Sequence, residues 1–193
     1  KVEVNPHGTP IEKIDQRVYH VPNFFTKVNL LGFLLSNDVE MSKVLVFVGT
    51  KKMADLLFEH LTKLFPEQIG VIHSNKAHNT RLSTLKLFQE GTYRVLIATD
   101  IIARGMDIID VTHVVNFEVP DVAGDYIHRI GRTGRADKDG VAISFATEKE
   151  LQYLDEIETL MKREVSLEPL PQKLIISSEL TDEEKMSGKR DKD

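Results

Sequence analysis

Eight consecutive residues carry the densest chemistry in this chain: His128-Arg129-Ile130-Gly131-Arg132-Thr133-Gly134-Arg135. Arginine recurs at every third position, 129, 132 and 135, with glycines at 131 and 134. Glycine lets a ligand come close to the backbone, and a guanidinium is a planar fork of donors that matches two phosphate oxygens at once. Phosphate recognition is the chemistry this arrangement serves. The same residues also suit a helix C-terminus, with Gly131 just past the last turn and the arginines favoured by the helix dipole. Both roles are compatible, but three arginines across a glycine-rich turn exceed what capping needs.

Three further polar segments stand out. In Ala98-Thr99-Asp100-Ile101-Ile102-Ala103-Arg104-Gly105-Met106-Asp107, Thr99 or Asp100 either caps a short helix over residues 101–103 or turns its side chain to a ligand. Asp107 has the same two options, a turn residue after Gly105 or a hydrogen-bond acceptor. Gly49-Thr50-Lys51 is the second segment, with Thr50 a candidate cap and the same two options open for Thr50 and Lys51. His73-Ser74-Asn75-Lys76 is the third, leading to His78 and Arg81. The seven histidines are not grouped at metal-ligand spacing, and the pairs 73/78 and 113/128 lack the accompanying Cys or carboxylate pattern of zinc sites. No metal is assigned to this chain.

An alternating series of elements must position these segments. Val44-Leu45-Val46-Phe47-Val48 is apolar throughout, as a strand covered on both faces would be. Ala54, Leu57, Leu61 and Leu64 follow at helical spacing. Strands are then expected at 69–72, 95–98, 114–117 and 141–146, with helices at 80–89, 122–130 and 148–161 between and after them. Residues 14–21 add a strand and 24–35 a helix opening near Asn23. Strand and helix in steady alternation imply right-handed crossovers and a doubly wound α/β parallel sheet with helices on both faces. Ligands bind such sheets at the carboxyl ends of the strands. Residues 49–51, 73–76 and 98–100 each begin where an apolar strand stops, so they are expected to share one face.

The chain has 193 residues, 41% hydrophobic and 28% charged, enough for one substantial core. Its domain is expected over 14–170, preceded by a linker at 1–13 and followed by an extension at 171–193 that is disordered from about 179, where charge is mixed and aromatics are absent. A net charge of −5 argues against gripping nucleic acid by bulk electrostatics, so any such contact must come from a few placed groups. With no cysteine there are no disulfides or thiolate metal sites. No apolar run is long enough for a membrane span and the N-terminus lacks signal-peptide features, so a cytoplasmic setting is expected.

These motifs, in this order, resemble the C-terminal, RecA-like domain of the DEAD-box ATP-dependent RNA helicases. H-R-I-G-R-T-G-R is similar to the family's motif VI, residues 98–107 to motif V and residues 44–50 to motif IV, and the likeness runs from about Val18 to Met161. It implies a RecA-like fold, ATP and RNA as ligands, and RNA-stimulated ATP hydrolysis coupled to local strand separation. By the resemblance Arg132 and Arg135 reach the γ-phosphate, Arg135 as the arginine finger. Asp107, beside Gly105, accepts from the ribose hydroxyls, and His128 and Arg129 meet a second domain. Thr50, Lys51, Arg81, Thr99 and Arg104 are the implied RNA contacts, made to phosphates and sugars and therefore indifferent to sequence. Where the family shows glycine after the histidine and glutamine three residues before the arginine, this chain has Ser74 and His78.

No G-x-x-x-x-G-K-[ST] phosphate loop and no D-E-A-D sequence occur. The phosphate cradle and the carboxylates for Mg²⁺ are therefore expected on an N-terminal RecA-like domain of the same protein, the chain's implied partner. Alternative readings are the second motor domain of another superfamily 2 translocase, or a nucleic-acid-binding module that has lost catalysis; the intact arginines argue against the latter.

Overall fold

A computed structural model describes residues 11–134 and 138–191. A short 3-10 turn at Ile11–Lys13 leads into fourteen elements. They are β1 (Ile14–His20), α1 (Phe24–Asn37), β2 (Val44–Phe47), α2 (Lys51–Leu64), β3 (Ile69–Ile72), α3 (His78–Gln89), β4 (Val95–Ala98), α4 (Asp100–Gly105), β5 (His113–Asn116), α5 (Ala123–Ile130), β6 (Gly140–Ala146), α6 (Leu151–Met161), β7 (Ser166–Glu168) and α7 (Asp182–Arg190). Among the described residues the strands form one seven-stranded sheet in the order β3-β4-β2-β5-β6-β1-β7, every pair parallel. This is the doubly wound parallel α/β architecture that the alternation predicts.

Strand alternation divides the core in two. Val44, Val46, Val95 and Ile97 face α1 and α2, together with Leu30, Leu31, Leu57 and Leu61. Leu45, Phe47, Leu96 and Ala98, on the opposite face, meet Leu85 and Phe88 of α3 and Ala103 of α4. Further along that face Tyr126, Ile127 and Ile130 of α5 pack with Leu154 and Ile157 of α6 over β1 and β6. Because both faces are covered, the central strands read as unbroken apolar runs.

The winding explains where the polar segments go. The chain leaves β2 toward one face to form α2 and leaves the adjacent β4 toward the other to form α4. Diverging connections from neighbouring strands open a crevice at the carboxyl edge, the usual ligand position in open α/β sheets. Residues 49–51 and 99–100 flank it.

The C-terminal segment is tied to the domain both before and after residue 179, from about which disorder is expected. Ser166–Glu168 pairs with β1, and Leu170 and Leu174 pack on the core. Beyond them the backbone is tied to α1: Asn23 Nδ2 donates to Ser177 O at 2.8 Å, Ser177 N–H to Thr26 Oγ1 at 3.0 Å, and Asn29 Nδ2 to Ile175 O at 2.9 Å. Helix α7 opens with a reciprocal capping box between Thr181 and Glu184, and Glu184 Oε2 also accepts from Phe24 N–H at 3.2 Å. Caps and an inter-element carboxylate hold a segment whose composition alone is that of a free tail.

Candidate functional site

At the carboxyl edge, Thr50 caps α2, its Oγ1 accepting from Met53 N–H at 3.1 Å while the residue stays exposed. Capping uses one lone pair, so the hydroxyl keeps its proton for a further acceptor. Lys51 Nζ donates to Asn75 Oδ1 at 3.1 Å, which joins the loop after β2 to the loop after β3. That second loop is locked by His73, 2% exposed. Its Nδ1 accepts from Asn75 N–H at 3.2 Å, so its Nε2 carries the proton toward Asp55 at 2.8 Å. Thr99 occupies the N-cap position of α4 without a capping bond from its side chain, and it is half-buried. The cap-or-ligand ambiguity thus resolves differently at the two threonines: Thr50 caps, and Thr99 has a hydroxyl not spent on the helix.

Arg129 is the hinge-pin of the site and lies inside it, 3% exposed. Its Nε and Nη2 clamp the Asp100 carboxylate at 2.7 and 2.8 Å. Its Nη1 donates to Glu118 O at 2.8 Å and Asn116 Oδ1 at 3.2 Å, and the guanidinium lies over the Phe47 ring at 5.1 Å. The resemblance implies that Arg129 meets a second domain; within this chain four of its five N–H groups are already used, fastening α5 to α4 and to the ends of β2 and β5. His128, one helix position earlier, is exposed, because at 100° per residue it points away from the face that buries Tyr126, Ile127, Arg129 and Ile130.

Beyond α5 the chain passes Arg132 and returns to the sheet. Thr133 Oγ1 donates to Val111 O at 2.7 Å and Thr112 O at 2.9 Å, and Thr133 pairs with Val111 as an isolated bridge. Gly134 has φ 84, and a Cβ on Gly140 would fall 2.6 Å from Gly134 N and from the Thr133 side chain, so glycine at both positions is demanded by this turn. Arg132 is 8% exposed, with Nη1 3.3 Å from Ile108 O. Burial lowers its pKa from the usual value, Asp107 opposes the shift and Arg104 adds to it. Arg135 lies outside the described residues.

Asp107 is exposed at φ 48, a left-handed conformation uncommon for residues other than glycine, asparagine and aspartate. With Gly105, His78, Arg81 and Ile101 it lines a groove of about 370 Å³ between α3 and α4. Gly105 has nothing within 4 Å of where a Cβ would stand, so its own surroundings do not demand glycine there. Arg104 is exposed and paired with Asp125 of α5. The structure thus splits the expected residues into an edge group, Thr50, Lys51 and Thr99, and a flank group, Arg81, Gly105, Asp107 and Arg132. Sequence reading missed Glu118, whose Oε1 accepts from Gly49 N–H at 3.0 Å, although its place just past a strand end was a usable signal. It also missed the buried Lys27–Glu150 pair at 2.8 Å. Among the described residues no cluster of three or more His, Asp or Glu is placed to hold a metal ion, and no helix is long and apolar enough to cross a membrane.

Residues 26–137 match the helicase conserved C-terminal domain. The chain is 40% identical over 158 residues to the ATP-dependent RNA helicase RhlB of Shewanella sediminis, an alignment covering 82% of this chain and 36% of that protein. The chain therefore spans little more than a third of such a relative. Among solved structures, the C-terminal domain of the DEAD-box protein Dbp5 superposes with a TM-score of 0.75 at 32% identity, covering 82% of this chain and 92% of that one. Saccharomyces cerevisiae Dbp5 bound to RNA and ADP BeF3 gives a TM-score of 0.75 at 31% identity, covering 87% of this chain and 44% of that one. With a parallel RecA-like sheet, the arginine turn after α5 and a family match across most of the folded region, this chain belongs to the helicase C-terminal domain family and is the second RecA-like domain of a DEAD-box protein.

Proposed function

We propose that this domain is the C-terminal half of an ATP-dependent RNA helicase, supplying part of the RNA surface and the cationic ligands for ATP hydrolysis. One observation carries the reading: α4 joins the two candidate groups. Thr99 sits just before it and Asp107 two residues past its end, Gly105, with the helix itself, roughly 9 Å long at 1.5 Å per residue, between them. Asp100, its first residue, is clamped by Arg129, so a shift at one end of this short helix is passed rigidly to the other.

Thr50, Lys51 and Thr99 contact phosphates of a single RNA strand along the carboxyl edge, with Arg104 beside them and Arg81 reaching the strand from the groove it shares with Gly105 and Asp107. On the other side Asp107 accepts from ribose hydroxyls, the open space at Gly105 admits the nucleotide, and Arg132 with Arg135 neutralises the phosphates. The residues fit ATP as ligands without a cradle. The phosphate loop and the Mg²⁺ carboxylates belong to an N-terminal RecA-like domain, which His128 faces across the closed interface. Bound Mg²⁺ would draw charge from the β- and γ-oxygens; this chain's share is to bring permanent positive charge where it develops during transfer. Closure around RNA and ATP is then the step that delivers Arg135.

The test is Arg135→Ala in the full-length protein, with RNA-stimulated turnover and thermal melting measured together. Loss of about 10³-fold or more in kcat with an unchanged melting temperature is expected, as for other arginines supplied to a phosphoryl-transfer site. An unchanged rate in a folded variant removes Arg135 from catalysis. The isolated chain is expected to hydrolyse no ATP above background.

A further inference from the structure

The loop that carries Thr50 and Lys51 is held by an acid rather than by a cation. Glu118 follows β5, and its carboxylate Oε1 accepts from the Gly49 backbone N–H at 3.0 Å. The approach is close: a Cβ on residue 49 would stand 3.1 Å from Glu118 Oε2, so the carboxylate would have to give by a few tenths of an ångström. Through its own carbonyl Glu118 receives Arg129 Nη1 at 2.8 Å, and Arg129 clamps Asp100 at the head of α4.

Both neighbours of Glu118 are anchored as well. Buried Lys27 donates to Phe117 O at 2.8 Å, and Val119 N–H donates to Glu150, the partner of Lys27 in the ion pair. Residues 117–119 are therefore a fixed bracket. Gly49 is the point at which the exposed loop after β2 is fastened to that bracket by a side chain.

We propose that Glu118 is a positioning residue that couples the RNA-contacting loop at Thr50–Lys51 to the Arg129–Asp100 clamp and so to α4; the proposal rests on reading those residues as RNA ligands. The sign of its charge separates this role from a contact role. A carboxylate at a phosphate-binding edge repels the ligand, so if Glu118 were only a neighbour of the RNA path its removal would tighten binding. As a latch, its removal frees the loop, and RNA must then pay the ordering entropy on binding.

Three variants of the full-length protein test this. Glu118→Ala is expected to raise the RNA concentration for half-maximal ATPase stimulation about tenfold, the order of one lost hydrogen bond to a charged group, with RNA-free turnover and the KM for ATP unchanged. Glu118→Gln retains an oxygen that accepts from Gly49 and is expected to stay within about threefold of wild type. Gly49→Ala, which crowds the carboxylate without removing it, is expected to shift the RNA dependence in the same direction as Glu118→Ala and by less. In the isolated chain the Gly49 amide proton resonance is expected to move upfield in Glu118→Ala. Tighter or unchanged RNA dependence in Glu118→Ala overturns the coupling, as does an unmoved Gly49 amide. A wild-type protein without RNA-stimulated turnover overturns the functional reading and the coupling with it, whereas a stimulated wild type with an indifferent Glu118→Ala overturns the coupling alone.

Discussion

Replacing Arg129 with alanine separates a structural clamp from an interdomain contact, and it does so in the isolated chain. If the guanidinium served a second domain, its loss would leave the melting temperature of this chain unchanged. The structure gives the opposite expectation. Removing one partner of a buried charge pair costs about 3–5 kcal/mol, mostly because the other charge is left uncompensated. The Asp100 side chain keeps 24% of its exposure, so water can rehydrate it and the low end of that range applies. Asn116, fully buried, loses its donor at Oδ1, which adds about 1 kcal/mol, and the Phe47 ring loses its cation, worth about 0.5 kcal/mol. A total of about 4 kcal/mol follows from these contributions, and at about 2–4 °C per kcal/mol for a chain of this size the midpoint falls by roughly 8–16 °C. Circular dichroism melts of wild type, Arg129→Ala and Arg129→Lys measure it; lysine keeps the charge but not the fork, and its loss is expected to be intermediate. A midpoint within about 2 °C of wild type for Arg129→Ala, less than 1 kcal/mol, would refute the clamp and return Arg129 to the interdomain surface.

Two further outcomes follow from the same contacts. Glu184→Ala removes the acceptor that serves both Thr181 N–H and Phe24 N–H, and is expected to cost about 1 kcal/mol and to expose the segment after residue 170 to protease before the rest of the domain unfolds, as limited proteolysis would show. Burial lowers the pKa of His113 below its ordinary 6.5, with Asp38 opposing. The unfolded chain therefore takes up this proton first, so stability is whole above the unfolded value and is lost as pH falls below it, by at most about 1.4 kcal/mol per pH unit, until the folded form also protonates. Chemical denaturation at a series of pH values measures the slope, and His113→Asn is expected to flatten it.

What the sequence made legible, and what it hid, both follow from how burial is encoded. Strands β2 and β4 were readable because both faces are covered and every residue is apolar; their carboxyl ends then located the edge group without any contact being known. Strand β7 was not readable: it is three residues long with Leu167 67% exposed, so neither length nor alternation marks it. Helix α7 was hidden by its charge, although Thr181-Asp-Glu-Glu184 is a capping-box pattern and its reciprocal bonds are present. The arginines are the most instructive case. At spacing three they look equivalent, yet Arg129 lies within α5, where the phase that buries Tyr126 and Ile130 buries it too. Arg132 lies past the helix, after Gly131, where that phase no longer holds and the backbone bonds at Val111 and Thr133 set its direction instead. Identical residue types at identical intervals are thus both buried, but by different means, once a helix ends between them. A periodicity argument applied as far as Ile130, and no further, would have assigned Arg129 to the core.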